Sequence, residues 1–131
     1  MPALILMYHD IAETLQGIAP GHRPYVLDPK VFHRQMRAIV DAGLLNFTVE
    51  NWCTSSRRLC AVVLTFDDGH ISNYDTALPI LLDHRLKATF FVTAGWIGVG
   101  STMDWGQIRA LHAAGMEIGS HTLTHRPPST L

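Results

Sequence analysis

The spacing of apolar positions along this chain changes from one stretch to the next, and each change predicts a different element. Residues 61–66 read Ala-Val-Val-Leu-Thr-Phe, a nearly unbroken apolar run stopped by Asp67-Asp68-Gly69. A run this short, rich in β-branched residues and ended by glycine, is the pattern of a strand buried on both faces. Shorter runs predict buried strands at residues 4–8, 88–92 and 116–118 and a brief one at 45–50. Between them the spacing lengthens. Val31, Phe32, Met36, Ile39 and Val40 recur at helical intervals and stop before Gly43, so Asp28 should cap a core-facing helix that Pro29 opens. Ser72 or Asn73 is placed to cap a second helix running to about His84, with Leu78, Leu81 and Leu82 on its buried side; Pro79 requires that helix to start late or to kink. Asp104 and Gln107 have the spacing of a capping box and open a third helix to Ala114, which Gly115 ends.

Glycines and prolines fill the rest. Residues 13–27 read as a loop with a brief extended piece at 25–27, and Thr54-Ser55-Ser56-Arg57-Arg58 as a surface connection without the glycine cradle of a phosphate site. Gly95, Gly98 and Gly100 lack dinucleotide-binding spacing. Strands alternating with helices, and no internal repeat, predict α/β architecture built from parallel βα units.

Composition narrows this picture. At 131 residues, residues 1–131 are read as one domain. A hydrophobic share of 47%, a charged share of 16% and a formal net charge of -1 carry no signature of disorder. The ten Lys and Arg are scattered among eleven acids, so no nucleic-acid partner is expected. The apolar opening lacks a basic leader and is cut short by His9-Asp10, and no stretch is long enough to span a membrane. A cytoplasmic location is the default expectation, with an envelope-associated or secreted one as the alternative. Cys53 and Cys60 lack Cys-x-x-Cys spacing; Cys60 is assigned to the buried strand, and two reduced thiols are expected, with a disulfide as the minority option.

Asp67 and Asp68 fall at the carboxyl end of the central strand, where open α/β sheets and β/α barrels place their ligands. Successive strand side chains face opposite ways, so the two acids should divide their labour unless the backbone turns between them. His121 and His125 lie four residues apart after another strand; one helical turn would set both imidazoles on one face, as metal sites often require. Asp-Asp-Gly is also an ordinary turn sequence, and two surface imidazoles need share no function. His9, ending the first strand, is a candidate site residue by position, although a lone histidine there is more often simply hydrogen-bonded.

Taken together, Thr65-Phe66-Asp67-Asp68-Gly69 and His121-Thr122-Leu123-Thr124-His125, with Leu6-Met7-Tyr8-His9, Lys87-Ala88-Thr89-Phe90-Phe91-Val92 and Gly115-Met116-Glu117-Ile118-Gly119-Ser120 in the same order, resemble the polysaccharide deacetylases of carbohydrate esterase family four. The resemblance implies part of a distorted (β/α) barrel and a metal-dependent hydrolase that removes N-acetyl or O-acetyl groups from an acetylated poly- or oligosaccharide, its expected partner. It also implies Asp68, His121 and His125 as metal ligands and Asp67 as the general base. Two imidazoles and a carboxylate leave a metal with an open position; zinc is the first choice, and Co2+, Ni2+ or Fe2+ accept the same ligands. Trp96 is either a sugar-facing wall or a packing residue. The alternatives are an amidase acting on a small cyclic amide, or a metal- or carbohydrate-binding remnant without catalysis. A haloacid-dehalogenase-like phosphatase would show Asp-x-Asp, whereas these acids are adjacent.

The family's Arg-x-x-Pro, later Asp or Trp, and Leu-x-x-His segments do not occur before Leu131. Three or four βα units also fall short of the roughly 200 residues of a closed barrel. The expectation is therefore an N-terminal portion of the catalytic domain, poorly active alone and prone to self-association through an uncovered sheet edge, with His9 or His70 the first candidates for a local general acid.

Overall fold

The computed structural model describes residues 3–56 and 60–130. The first six residues of strand β5 (Ala61–Asp68) are all buried, a condition a strand meets only when both of its faces and both of its edges are covered. Strand β1 (Ala3–Tyr8) pairs parallel with β5 along one edge. The other edge is shared: β4 (Leu45–Phe47) lies against residues 61–63 and β6 (Thr89–Val92) against residues 65–68. The Asn46 side chain closes the gap between these two strands by donating from Nδ2 to Lys87 O at 3.0 Å and accepting from Lys87 N at 2.6 Å, copying a rung of backbone ladder. Strand β7 (Glu117–Ser120) pairs parallel with β6, giving the order β1-β5-β6-β7. This is an open stretch of parallel barrel wall, as expected.

The helices cover one face. Helix α1 (Pro29–Asp41) starts at Asp28, whose side chain accepts from Lys30 N, and buries Phe32, Met36 and Ile39; Val40, assigned to the same stripe, is exposed. Helix α4 (Trp105–Ala113) carries the capping box between Asp104 and Gln107 and buries Ile108 and Leu111. Under these helices Phe66 stacks on Tyr8 at 5.2 Å and on Phe90 at 4.7 Å, with Phe32 edge-on at 5.8 Å, so one aromatic column ties β1, β5 and β6 to α1.

Several elements differ from the reading of the sequence. Residues 45–50 split into β4 and a short helix α2 (Val49–Thr54), capped by Thr48 accepting from Asn51 N; the apolar pattern was too short to show its period. After β5 a π-helical turn, Asn73–Ala77, runs directly into helix α3 (Leu78–Asp83), so helical backbone does begin near Asn73 while the α-helix proper starts late with Pro79 in its first turn; Leu78 and Leu81 are buried, but Leu82, assigned to the same side, is exposed. Cys60 is exposed and precedes β5 instead of lying in it. Arg57 and Arg58 lie outside the described residues. Strand β1 is not buried on both faces: Leu6 and Tyr8 pack under the helices, while Ile5 and Met7 point the other way and are 61% and 59% exposed. Residues 26–27 form β3 (Val26–Leu27), paired with β2 (Asp10–Ile11) after a 3-10 turn, Pro20–Tyr25. Among the described residues no helix is long and apolar enough to cross a membrane.

Phe90 is fully buried in the aromatic column, so Phe90→Ala should cost about 3–5 kcal/mol of stability through the cavity it leaves. Urea denaturation measures this; a loss below about 1 kcal/mol would show that the column is not the core's centre.

Candidate active site

Parallel strands deliver their carboxyl ends to one rim of a sheet, and here β5 and β7 deliver the acids and the histidines to that rim with β6 between them. Strict alternation would send Asp67 and Asp68 to opposite faces. Asp68 escapes it by adopting φ +76°, a left-handed conformation uncommon for a residue with a side chain, so both carboxylates enter one cleft. Gly69 continues the turn at φ +86°, where a Cβ would lie 2.9 Å from Val92 Cγ1. A side chain there would be strained by the backbone conformation and would press on the Val92 methyl, which favours glycine.

The histidines do not sit on a helical turn. Thr122 and His125 are both left-handed, at φ +66° and +59°, and the segment is an irregular turn fastened to the residues after β6. His121 N donates to Val92 O at 2.8 Å, Ala94 N to Thr122 O at 3.0 Å and Gly95 N to Leu123 O at 2.8 Å, while His125 N donates to Thr122 Oγ1 at 2.8 Å. The outcome is the convergence that the spacing suggested, reached by another route. His125 Nε2 lies 3.1 Å and His121 Nε2 3.4 Å from Asp68 Oδ1, and one donor atom from each of the three residues falls within 4.8 Å of the others.

These residues suit a divalent cation. Asp68 Oδ1 is buried yet accepts no hydrogen bond among the described residues, although two ring nitrogens stand close to it. An orphaned carboxylate oxygen facing two imidazole nitrogens is an open donor set of the kind catalytic metals use. His70 Nε2 lies 3.7 Å from Asp68 Oδ2, and His9 Nε2 lies 3.9 Å from Asp67 Oδ2 with its ring against Tyr25. His9 is held from behind: Asn73 Nδ2 donates to His9 O at 2.8 Å, and Ser72 Oγ donates to Asp10 Oδ1 at 2.6 Å. Position in sequence suggested His9 and His70; nothing local pointed to Tyr25, Ser72 or Asn73 as supports of His9 and its neighbours, because each acts across the fold.

The cleft holds about 570 Å³ and is lined by both acids, His9, Tyr25, Trp96 and His125, among others. A second groove of about 510 Å³, beside Trp105 and Glu117, is smaller and lies away from the carboxylates. Burial pushes the Asp67 carboxyl above the usual carboxylate range and the neighbouring Asp68 charge adds to this, against the pull of His121, His9 and His125. Burial also works to raise Asp68, but His70, His9 and His125 outweigh it and hold that carboxyl below the usual range. The two acids are thus driven apart in character, one poised to take a proton and one to stay charged.

A raised carboxyl pKa means the fold disfavours the charged form, so the cost is present above the unfolded-state value and vanishes below it. Asp67→Asn should therefore raise the melting temperature of the metal-free protein at about pH 7 and leave it nearly unchanged at about pH 3. Equal melting temperatures at about pH 7 would contradict this.

A profile of the polysaccharide deacetylase family matches residues 56–131. The chain is 30% identical over 126 residues to the Bacillus subtilis (strain 168) protein named "Putative polysaccharide deacetylase YxkH", covering 92% of this chain and 42% of that protein. It is 41% identical over 66 residues to a chitooligosaccharide deacetylase of Sinorhizobium fredii (strain NBRC 101917 / NGR234), covering 50% of this chain and 29% of the relative. Among solved structures it is similar to the Streptococcus pyogenes deacetylase PplD in complex with acetate, at a TM-score of 0.78 and 28% identity, covering 95% of this chain and 57% of that one. The chain thus spans under three-fifths of the length of these relatives. The strand-end acids, the histidine turn and the family profile lead to one assignment: this chain belongs to the polysaccharide deacetylase family.

Proposed function

We propose that the chain carries the metal-binding wall of a carbohydrate deacetylase, with Asp68, His121 and His125 holding one divalent cation, zinc as the first choice, and Asp67 acting as the general base. The observation that carries this reading is the buried, unpartnered Asp68 Oδ1 facing two imidazole nitrogens at the carboxyl end of a parallel sheet. A cation held there would lower the pKa of water toward about 7 and polarise an acetyl carbonyl.

The chain's own groups supply the rest. Asp67, with its carboxyl raised, is closer to neutral pH in its proton affinity than an ordinary carboxylate and takes the proton of the attacking water. His9, beside Asp67 and steadied by Tyr25, is placed to return a proton to the leaving amine, whereas His70 faces Asp68 and keeps that carboxylate charged. Met7, Ile18 and Tyr25 give the cleft an apolar side that suits a sugar ring and its acetyl methyl. The relative named as a chitooligosaccharide deacetylase favours an acetylated oligosaccharide over a cyclic amide.

Two measurements on one set of proteins test this. Zinc-loaded wild type should release acetate from N-acetylated chitooligosaccharides, slowly in keeping with the poor activity expected of this portion alone. Asp67→Asn should keep its zinc and lose at least about 100-fold in rate, and the Asp68→Ala, His121→Ala, His125→Ala triple variant should lose both. Full turnover in Asp67→Asn would remove Asp67 as the base, and equal zinc in the triple variant would remove the assigned ligands.

A further inference from the structure

His125 is the weakest-held of the three proposed ligands. Its side chain is 46% exposed, against 15% for Asp68 and 30% for His121, and it hangs from an irregular turn at a left-handed residue. A ligand with that much freedom must be ordered before it can bind, which lowers the affinity of the whole site. One contact in the structure opposes this. The Trp96 indole lies against the His125 imidazole with ring centroids 5.2 Å apart and planes 27° from parallel.

The backbone at Trp96 is itself firmly placed. Its main-chain N–H donates to Thr93 O at 3.0 Å, and its main-chain carbonyl accepts from Val99 N and from Thr102 Oγ1. Thr102 bridges to His70, and Met103 N donates to Gly69 O at 2.9 Å, so the loop that carries Trp96 is tied to the Asp-Asp-Gly turn. The preceding residue ties it to the histidine turn. A Cβ on Gly95 would come within 2.5 Å of Leu123 O, so only glycine lets the two segments close, and the Gly95 N to Leu123 O hydrogen bond forms across that contact. The loop that carries the indole is therefore anchored to both the acid and the histidine turns, and the indole itself lies on one face of the His125 ring.

We propose that Trp96 is a positioning residue that stacks on His125 and holds its Nε2 toward Asp68, setting the affinity and geometry of the metal site. The inference rests on the ligand assignment above and adds to it a residue without a donor atom. An imidazole bound to a cation is electron-poor, and the electron-rich face of an indole is the partner that favours it. Outer partners that orient a ligand typically change metal affinity by about 10–100-fold when lost.

The test uses the full chain and Co2+, whose visible absorption reports coordination geometry, in the wild type and in Trp96→Leu, Trp96→Phe and His125→Ala. Leucine keeps apolar bulk without a π face, and phenylalanine restores a ring. Trp96→Leu, with an unchanged far-ultraviolet circular dichroism spectrum, should bind Co2+ about tenfold more weakly and with a shifted absorption band. Trp96→Phe should stay within about threefold of wild type. Wild-type affinity and spectrum in Trp96→Leu, while His125→Ala binds poorly, would overturn the positioning role alone. Equal binding by wild type and His125→Ala would overturn the ligand assignment, and the role of Trp96 with it.

Discussion

A carboxylate oxygen taken out of water without a hydrogen-bond donor is costly, and Asp68 Oδ1 is in that condition. Much of the local structure can be traced to how it is placed and what stands near it. The oxygen is carried there by a strand whose preceding residues are buried on every side, so it cannot retreat to solvent by a small shift of backbone. The left-handed turn at Asp68 brings it into the same cleft as Asp67, and the glycine that follows lets the chain leave past Val92. A divalent cation between this oxygen and the two imidazoles would supply the missing partner, which is why the proposed chemistry and the local strain belong to one account.

The histidines reach the same place through loops whose backbone is spent on cross-links. Hydrogen bonds from residues 94 and 95 to 122 and 123, and from residue 121 to 92, make the turn after β7 an extension of the segment after β6. On the far side, Ser72 and Asn73 grip residues 9–11, so the end of β1 moves with the π-helical turn that follows the acids. The site is therefore assembled from the ends of β1, β5, β6 and β7 as one body. That arrangement suits a reaction in which a base, a cation and a proton donor must keep fixed separations.

What the sequence made legible follows from range. The central strand, the cap at Asp28 and the capping box at Asp104 depend on residues within a few positions of one another, and the structure keeps all three. The convergence of the acid pair on His121 and His125 was legible because both motifs fall at strand ends that parallel order must bring together, whereas the choice of Asp68 over Asp67 came from the family resemblance. The route was not legible. Spacing of four suggested a helical turn, but hydrogen bonds to β6 and to Gly95, which no local pattern encodes, impose left-handed residues at 122 and 125. Helix α2 escaped because its apolar pattern is too short to show a period, and its start is held across the fold as well as by Thr48: Thr89 accepts from Val49 N and Glu117 from Glu50 N. The exposure of Ile5 and Met7 was hidden too, because an apolar strand reads alike whether one or both faces are covered.

X-ray absorption at the zinc edge on the zinc-loaded chain reads directly which atoms surround the cation. Ligation by Asp68, His121 and His125 predicts a first shell of nitrogen and oxygen only, at about 2.0–2.1 Å, with the outer-shell scattering of two imidazoles. A sulfur shell at about 2.3 Å, bringing in Cys53 or Cys60, or a shell without imidazole scattering, would contradict it.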